Sequence, residues 1–274
     1  MAASEQPSSA KSRREIQREE LRRQRAAELR RQRSLRTIVI SVVVVIALVL
    51  GGGLAWLIWR SLQPEGPVAV PPGMSATQPY LAFGAPEGSG KPVVEIHLDF
   101  MCPFCGEFEK GNGKDIAEIV KNKEATIHMV PRRFLDGNST TGDYSSRAAN
   151  AFVCMYAEDP AKSLEFQRLM FVNQPEEGSA GLDTKQIWAY AKQAGGTNSV
   201  KKCIDNRTYQ PWVRKVADPY AAKAKAGTPY VTINGEKWEG YTQPGALKKA
   251  ILAAGASDAG GASDAGGAPD AGGR

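Results

Sequence analysis

The stretch PVVEIHLDFMCPFC, residues 92–105, decides the fold of this chain. Its first half is rich in Val and Ile, which favour β-strands, so it predicts a buried strand over residues 92–98. Its second half places two cysteines three positions apart, at the point where the strand ends and helical spacing begins. The sequence therefore predicts a strand-to-helix junction with Cys102 at the N-terminus of the helix.

A Cys-x-x-Cys pair at such a junction is suited to thiol–disulfide exchange. Only a thiolate attacks a disulfide, and the unpaired N–H groups at a helix N-terminus stabilise an anion. Pro103 suits the first helical turn, where no N–H partner is needed. We therefore expect Cys102 to be the nucleophile, and Cys105, one turn later and less exposed, to resolve the mixed disulfide. The redox-active pair itself would be the reacting group, and no other cofactor is predicted.

A Cys-x-x-Cys pair can also be half of a zinc site, which needs four ligands. The other two cysteines, Cys154 and Cys203, lie 49 residues apart, and the sequence has no His-x-x-x-His motif. His97 and His128 fall on predicted strands, where packed or surface positions are expected. We therefore predict that the chain binds no metal.

The rest of the folded region predicts an α/β domain. The helix that starts at Cys102 is expected to be interrupted at Gly111-Asn112-Gly113. The other expected elements are a strand at 125–133, helices across 144–226, a strand at 230–233, a hairpin turn at Asn234-Gly235, and a closing helix at 245–254. This order predicts a mixed sheet with helices on its faces.

Positive charge is concentrated before an uncharged segment near the N-terminus. Residues 1–36 contain ten Arg and one Lys against five Glu, which accounts for the whole net charge of +6. Because the folded region is then neutral, we expect no nucleic-acid partner. Residues 37–59 are 23 positions without a charge, long enough for a single transmembrane helix, and a cleaved signal peptide is the alternative. The Arg residues predict a cytoplasmic N-terminus and a catalytic domain outside the cytoplasm.

Composition sets the expected limits of the folded domain. Residues 60–85 are rich in Pro and Gly and are predicted to be a tether. Residues 256–274 repeat Ala, Gly and Asp and are predicted to be disordered. The folded domain is therefore expected over residues 86–255. In an exported domain, Cys154 and Cys203 are expected to form a structural disulfide, and two buried free thiols are the alternative.

These motifs resemble the DsbA-like branch of the thioredoxin superfamily, in the membrane-anchored type of high-GC Gram-positive bacteria. The resemblance rests on DFMCPFC, residues 99–105, after a buried strand, and on Gly227-Thr228-Pro229 before a strand and an Asn-Gly hairpin. It implies a thioredoxin fold with a helical insertion over residues 141–205. It also implies that Pro229 is cis and faces the dithiol.

The same resemblance implies a substrate-binding surface and a set of partners. Thr228 would offer its backbone to an extended substrate strand, and Pro103 and Phe104 would contribute to the same surface. The substrates would be exported proteins that contain cysteine. A quinone-linked membrane oxidase, DsbB-like or VKOR-like, would reoxidise the dithiol.

One position departs from the family pattern. Many relatives have a buried acid six residues before the first cysteine, and this chain has Ile96 there. Glu95 and His97 flank it, and strand alternation turns their side chains toward the opposite face. Asp99 either assists Cys105 or positions the turn, so the route by which Cys105 loses its proton stays open.

Three functions remain open from the sequence. A dithiol oxidase for exported proteins is preferred, because Cys102, Cys105 and Pro229 are all intact. Their presence argues against a redox-inert binding module or a metallochaperone. A membrane-tethered reductase or isomerase would use the same chemistry, and the Pro-Phe dipeptide between the cysteines does not decide the direction. The lack of a separate dimerisation domain disfavours an isomerase.

Overall fold

A computed structural model describes residues 40–53, 68–241 and 243–261 of the chain. The chain divides into two units, Met1–Gly66 and Pro67–Arg274.

In the first unit, residues 40–53 form helix α1, which is exposed along its length. Within the described ranges, no helix has the length and apolar character that a membrane crossing requires. The predicted span at 37–59 starts and ends outside the described residues, and the predicted cytoplasmic tail at 1–36 lies wholly outside them. Both therefore stay predictions.

The second unit is built around a five-stranded mixed sheet with the order β1-β3-β2-β4-β5. β2 pairs with β3 in parallel, and the other three pairs are antiparallel. Val94 and Ile96 of β2 are buried, as the apolar run predicts. The sheet confirms the predicted α/β class. Its strands are β1 (Leu81–Gly84), β2 (Val93–Leu98), β3 (Thr126–Pro131), β4 (Tyr230–Ile233) and β5 (Glu236–Trp238).

The predicted tether at 60–85 is wrong in its second half. Strand β1 lies there, at the edge of the sheet, and its Leu81 and Phe83 are buried. Further upstream, Trp212 Nε1 donates to the carbonyl of Gln78 at 3.2 Å, so this segment also packs on the domain. Gly84 has a φ of +82°, and a Cβ there would lie 2.4 Å from the carbonyl oxygen of Ala125. Glycine is typical of linkers, but Gly84 is required here because the backbone of Ala125 approaches it closely.

Helix α2 (Pro103–Asn122) is continuous, which corrects the predicted interruption at Gly111-Asn112-Gly113. The buried Asn112 donates through Nδ2 to the carbonyl oxygens of Phe108 and Tyr241, each at 3.1 Å. A Cβ at residue 113 would meet Glu109 Oε1 at 2.4 Å. These small and polar residues therefore serve tertiary packing, which outweighs a helix-propensity cost of about 1 kcal/mol for each glycine.

Helices cover the sheet and form a block between β3 and β4. They are α3 (Tyr144–Glu158), α4 (Pro160–Val172), α5 (Thr184–Gln193), α6 (Asn198–Asp205), α7 (Gln210–Trp212), a π-helical segment (Val213–Ala217) and α8 (Asp218–Ala222). A disulfide joins Cys154 of α3 to Cys203 of α6, with their Cα atoms 5.9 Å apart. It ties the first helix of the block to the fourth.

The closing helix α9 (Ala246–Gly261) is longer than predicted. Residues 256–261 were expected to be disordered, and they continue the helix. The repeat begins Ala-Ser-Asp-Ala, and these residues continue a helix that is already formed, so no new nucleation is needed. The rest of the predicted tail, residues 262–274, lies outside the described residues.

Candidate active site

The end of β2 and the start of α2 bring the two cysteines of the motif together as free thiols. Cys102 is the residue immediately before α2, and Pro103 occupies the first turn. The carbonyl of Cys102 accepts from the backbone N–H of Cys105 at 3.0 Å and of Gly106 at 3.2 Å. Cys102 is 5% exposed and Cys105 only 1%, so the outer thiol is the more accessible of the two. Phe104, between them, is 58% exposed.

The two thiols differ strongly in acidity. A hydrogen bond from Cys105 lowers the pKa of Cys102 to about 6, assisted by Thr228 and by the backbone N–H groups of Cys105 and Phe104 and opposed by burial. Burial raises the pKa of Cys105 well above the usual range for a thiol. The hydrogen bond with Cys102 and the negative charge on Cys102 raise it further. At neutral pH this arrangement favours a thiolate at Cys102 and a protonated thiol at Cys105.

The loop before β4 covers the sulfur of Cys102. Thr228–Pro229 is a cis peptide bond, and Cys102 Sγ, in its protonated form, donates to the carbonyl oxygen of Thr228 at 3.1 Å. The structure therefore brings Thr228 and Pro229 to the dithiol, although 126 residues separate Cys102 from Thr228. Together with Tyr230, Trp238 and other residues of β4 and β5, they line a groove of about 430 Å³.

Gln174, which no sequence pattern predicted, contacts the backbone of Cys102. It follows α4, and its Nε2 donates to the carbonyl oxygens of Cys102 at 2.8 Å and Phe100 at 3.1 Å. A Cβ at Gly106 would lie 2.3 Å from Gln174 Oε1, so a glycine is needed where the amide packs against α2. A lone Gln after a helix carries no sequence signal for this contact.

Asp99 positions the turn between β2 and α2. Its buried carboxylate accepts from the backbone N–H groups of Met101 at 2.8 Å and Leu135 at 2.9 Å and from Ser145 Oγ at 2.6 Å. Burial raises its pKa to about 6 against these hydrogen bonds. The backbone N–H of Asp99 also donates to Cys105 Sγ at 3.4 Å. Of the two roles considered for this residue, the contacts of its side chain fit the structural one.

The residues around Ile96 do not supply an acid to the dithiol. Ile96 is buried in the core. Glu95 and His97 pair with each other, with His97 Nε2 and Glu95 Oε1 2.6 Å apart, and Tyr220 Oη donates to Glu95 at 2.7 Å. His128 instead lies 2.6 Å from Glu87 and stacks on Tyr80. In the described part of the chain, no group of three or more His, Cys, Asp or Glu side chains is arranged to hold a metal ion.

A second buried acid lies on α2, one turn after Cys105. Glu109 is 7% exposed, and its Oε2 accepts from Gln167 Nε2 of α4 at 2.7 Å. Burial raises its pKa to about 7. Its residue type gives no sequence signal, because Glu is common in helices, although its spacing of four from Cys105 places it on the buried face.

Residues 78–253 match the model of a family described as Thioredoxin. Among curated proteins, the serine/threonine-protein kinase PknE of Mycobacterium tuberculosis strain H37Rv is 29% identical over 172 residues. The match covers 58% of this chain and 29% of PknE, so the chain spans less than a third of the length of that relative.

Solved structures of similar fold include thiol–disulfide oxidoreductases. Oxidised DsbA of Mycobacterium tuberculosis is 28% identical with a TM-score of 0.55, covering 67% of this chain and 99% of that one. Reduced DsbG of the same organism is 27% identical with a TM-score of 0.52, covering 73% and 92%. MdbA of Actinomyces oris shares the fold, with a TM-score of 0.52. It is 23% identical, and the match covers 65% of this chain and 89% of MdbA.

Proposed function

Because the chain belongs to the thioredoxin family and is a DsbA-like thiol–disulfide oxidoreductase, we propose that it acts as a dithiol oxidase, which forms disulfides in exported proteins. The observation that carries this proposal is the placement of the two sulfurs: Cys102 lies at the N-terminus of α2, where backbone N–H groups favour a thiolate, and Cys105 is buried one turn later. A pKa of about 6 makes Cys102 a stable thiolate in the reduced enzyme. A stabilised reduced form favours the transfer of the disulfide to the substrate.

The reaction begins from the Cys102–Cys105 disulfide. A substrate thiolate attacks Cys102 Sγ, the Cys102–Cys105 bond breaks, and Cys105 leaves with the electron pair and takes up a proton. A mixed disulfide then joins the substrate to Cys102. The second substrate thiolate attacks the substrate sulfur of this bond, and Cys102 leaves as a thiolate. The substrate has lost two electrons and two protons, and the enzyme has gained two electrons.

Each named residue has a part in these steps. The low pKa of Cys102 makes it a good leaving group in the second step, because leaving ability rises as thiol pKa falls. The N–H of Asp99, 3.4 Å from Cys105 Sγ, can stabilise negative charge on that sulfur as it leaves. The carbonyl of Thr228 beside Cys102 suits pairing with an extended substrate strand, with Pro229, Pro103 and Phe104 beside it.

We further propose that the domain works outside the cytoplasm, anchored by a transmembrane helix at 37–59. The Arg-rich segment before that span supports this orientation. The Cys154–Cys203 disulfide also supports it, since structural disulfides persist in oxidising compartments. A quinone-linked membrane oxidase of DsbB or VKOR type would then take the electrons from the reduced dithiol.

Trapping of substrates on the full-length protein tests this function. In Cys105→Ala the outer sulfur remains and the resolving thiol is gone, so mixed disulfides with exported proteins should accumulate on a non-reducing gel and disappear with reductant. Cys102→Ala should trap few or none. More adducts on Cys102→Ala than on Cys105→Ala would reverse the assigned roles, and adducts with cytoplasmic proteins alone would contradict the proposed location.

A further inference from the structure

A second groove begins beside Cys102 and shares no lining residue with the groove at the cis-proline. It has a volume of about 610 Å³ and is lined by the first half of α2 and the end of α4. Pro103 and Gly106 line it next to the dithiol, and Phe171 and Val172 line it on the α4 side. Val172 is 68% exposed, so a large apolar side chain is presented to solvent beside the active-site helix.

The rim of this groove carries positive charge. Lys110 and Lys114 lie one turn apart on α2, are both exposed, and form no ion pair with any residue that the structure describes. Arg168 of α4 adds a third cation, which is already paired with Glu165 at 2.7 Å. Lys114 interacts electrostatically with Glu118, one turn further along α2, but neither lysine is held in a close ion pair, which leaves the rim able to attract an acidic group.

Two acids also line the groove. Glu107 is exposed, and Glu109 is buried against Gln167. Because burial raises the pKa of Glu109 to about 7, its carboxyl is only partly ionised at neutral pH. Since Arg168 is balanced by Glu165, the two lysines face Glu107 and a partly ionised Glu109, and the groove combines an apolar floor with a weakly basic rim.

Cys102 joins the two grooves. Its sulfur contacts Thr228, which lines the cis-proline groove, and its carbonyl accepts from Gln174, which lines the second groove. A polypeptide bonded to Cys102 through its own cysteine extends in both directions from that cysteine. If one side pairs with the backbone of Thr228, the other side leaves over Pro103, where the second groove opens.

We propose that the second groove binds the substrate segment that continues from the reacting cysteine, and that it selects an apolar side chain followed by an acidic one. The apolar side chain would pack on Phe171 and Val172, and the acidic one would meet Lys110 and Lys114. This assignment rests on the proposed oxidase function and adds a substrate preference to it.

Oxidation of synthetic peptides by the full-length protein tests the preference. Each peptide has two cysteines and a Leu-Glu, Leu-Gln or Leu-Lys tail, placed before or after them. The peptide thiols lose two electrons and two protons as they form a disulfide, and the Cys102–Cys105 disulfide is reduced to two thiols. Two exposed ion pairs predict that the Glu tail reacts about fivefold faster than the Lys tail at low ionic strength, on one side of the cysteines only.

Matched charge reversals identify the groove. The double variant Lys110→Glu/Lys114→Glu should invert the ratio of the two rate constants, and a ratio measured within one variant is independent of any general loss of reactivity. The double variant Lys185→Glu/Lys192→Glu, on the exposed face of α5, makes the same change of charge and should keep the wild-type ratio. A further peptide with a Ser-Gln tail probes the apolar contact: Val172→Ser should lower the rate advantage of the Leu-Gln peptide over it by about twofold, because a part of one side-chain contact is lost.

The outcomes separate this proposal from the proposed function. An unchanged ratio in Lys110→Glu/Lys114→Glu, or an equal inversion in the α5 control, overturns the groove assignment while peptide oxidation still supports an oxidase. A wild-type protein that oxidises the peptides without preference for charge also overturns it. A wild-type protein that oxidises neither the peptides nor dithiothreitol removes the oxidase function itself.

Discussion

Lowering the pH of the reduced protein should remove the stability that the Cys102 thiolate contributes. Its pKa in the folded state is about 6 against an ordinary value of 9.0. Because the folded pKa is depressed, the contribution is fully present above 9.0 and is lost as the pH falls through about 6. A shift of about three units corresponds to at most about 4 kcal/mol, of which about 1 kcal/mol is present at pH 7. Partial solvent access to the sulfur reduces the upper value to about 3 kcal/mol.

Urea unfolding of the wild type and of Cys102→Ser measures this contribution. In the wild type the Cys102–Cys105 bond is reduced, and in both proteins the Cys154–Cys203 bond is kept. The difference between their free energies of unfolding isolates the sulfur, because Asp99 and Glu109 titrate in both proteins. Between about pH 5 and pH 9, the free energy of unfolding of the wild type should rise by about 2–3 kcal/mol relative to that of the variant. A difference that stays constant over this range would refute the assignment of a stabilised thiolate to Cys102.

Three further changes probe residues around the site. Gln174→Ala should lower the free energy of unfolding by about 2 kcal/mol in denaturant titrations, because two buried carbonyls lose a donor, and Asn173→Ala, which removes one local hydrogen bond, should cost less than half as much. Replacing both Cys154 and Cys203 with Ala should lower the free energy of unfolding by about 4 kcal/mol in the loop-closure model, and with it the melting temperature. Peptide oxidation should stay nearly intact. Loss of activity at unchanged stability would instead make the pair a redox relay. Between about pH 5 and pH 8, the free energy of unfolding of Glu109→Gln should rise by about 2 kcal/mol relative to that of the wild type. The reason is that ionisation of a buried acid with a raised folded pKa destabilises the wild type as the pH rises. Equal pH profiles for the two proteins would contradict that burial cost.

The sequence predicted the parts of the site that are encoded locally. The Val and Ile run of β2 and the Cys-Pro-Phe-Cys motif lie next to each other in the chain, so strand periodicity and helix-start chemistry were enough to place Cys102 at the start of α2. The position of Thr228 and Pro229 near the dithiol came from a resemblance to a family, since no local pattern links residues so far apart.

The elements that were missed depend on tertiary contacts. β1 has only four residues and ends in a glycine, and its pairing with β3 outweighs a composition typical of linkers. The continuity of α2 through Gly111-Asn112-Gly113 depends on Tyr241, which is distant in the sequence. Gln174 and Glu109 acquire their roles only when α4 packs against α2, and neither residue type signals such a contact by itself.

The reduction potential of the Cys102–Cys105 couple tests the central claim, that this enzyme donates disulfides, most directly. The full-length protein is equilibrated with glutathione buffers of graded composition, and the fraction of reduced dithiol is read by alkylation. A thiolate stabilised at Cys102 predicts a potential nearer to that of DsbA, about −120 mV, than to that of thioredoxin, about −270 mV. A potential at or below the thioredoxin value would contradict the account and identify the protein as a reductase.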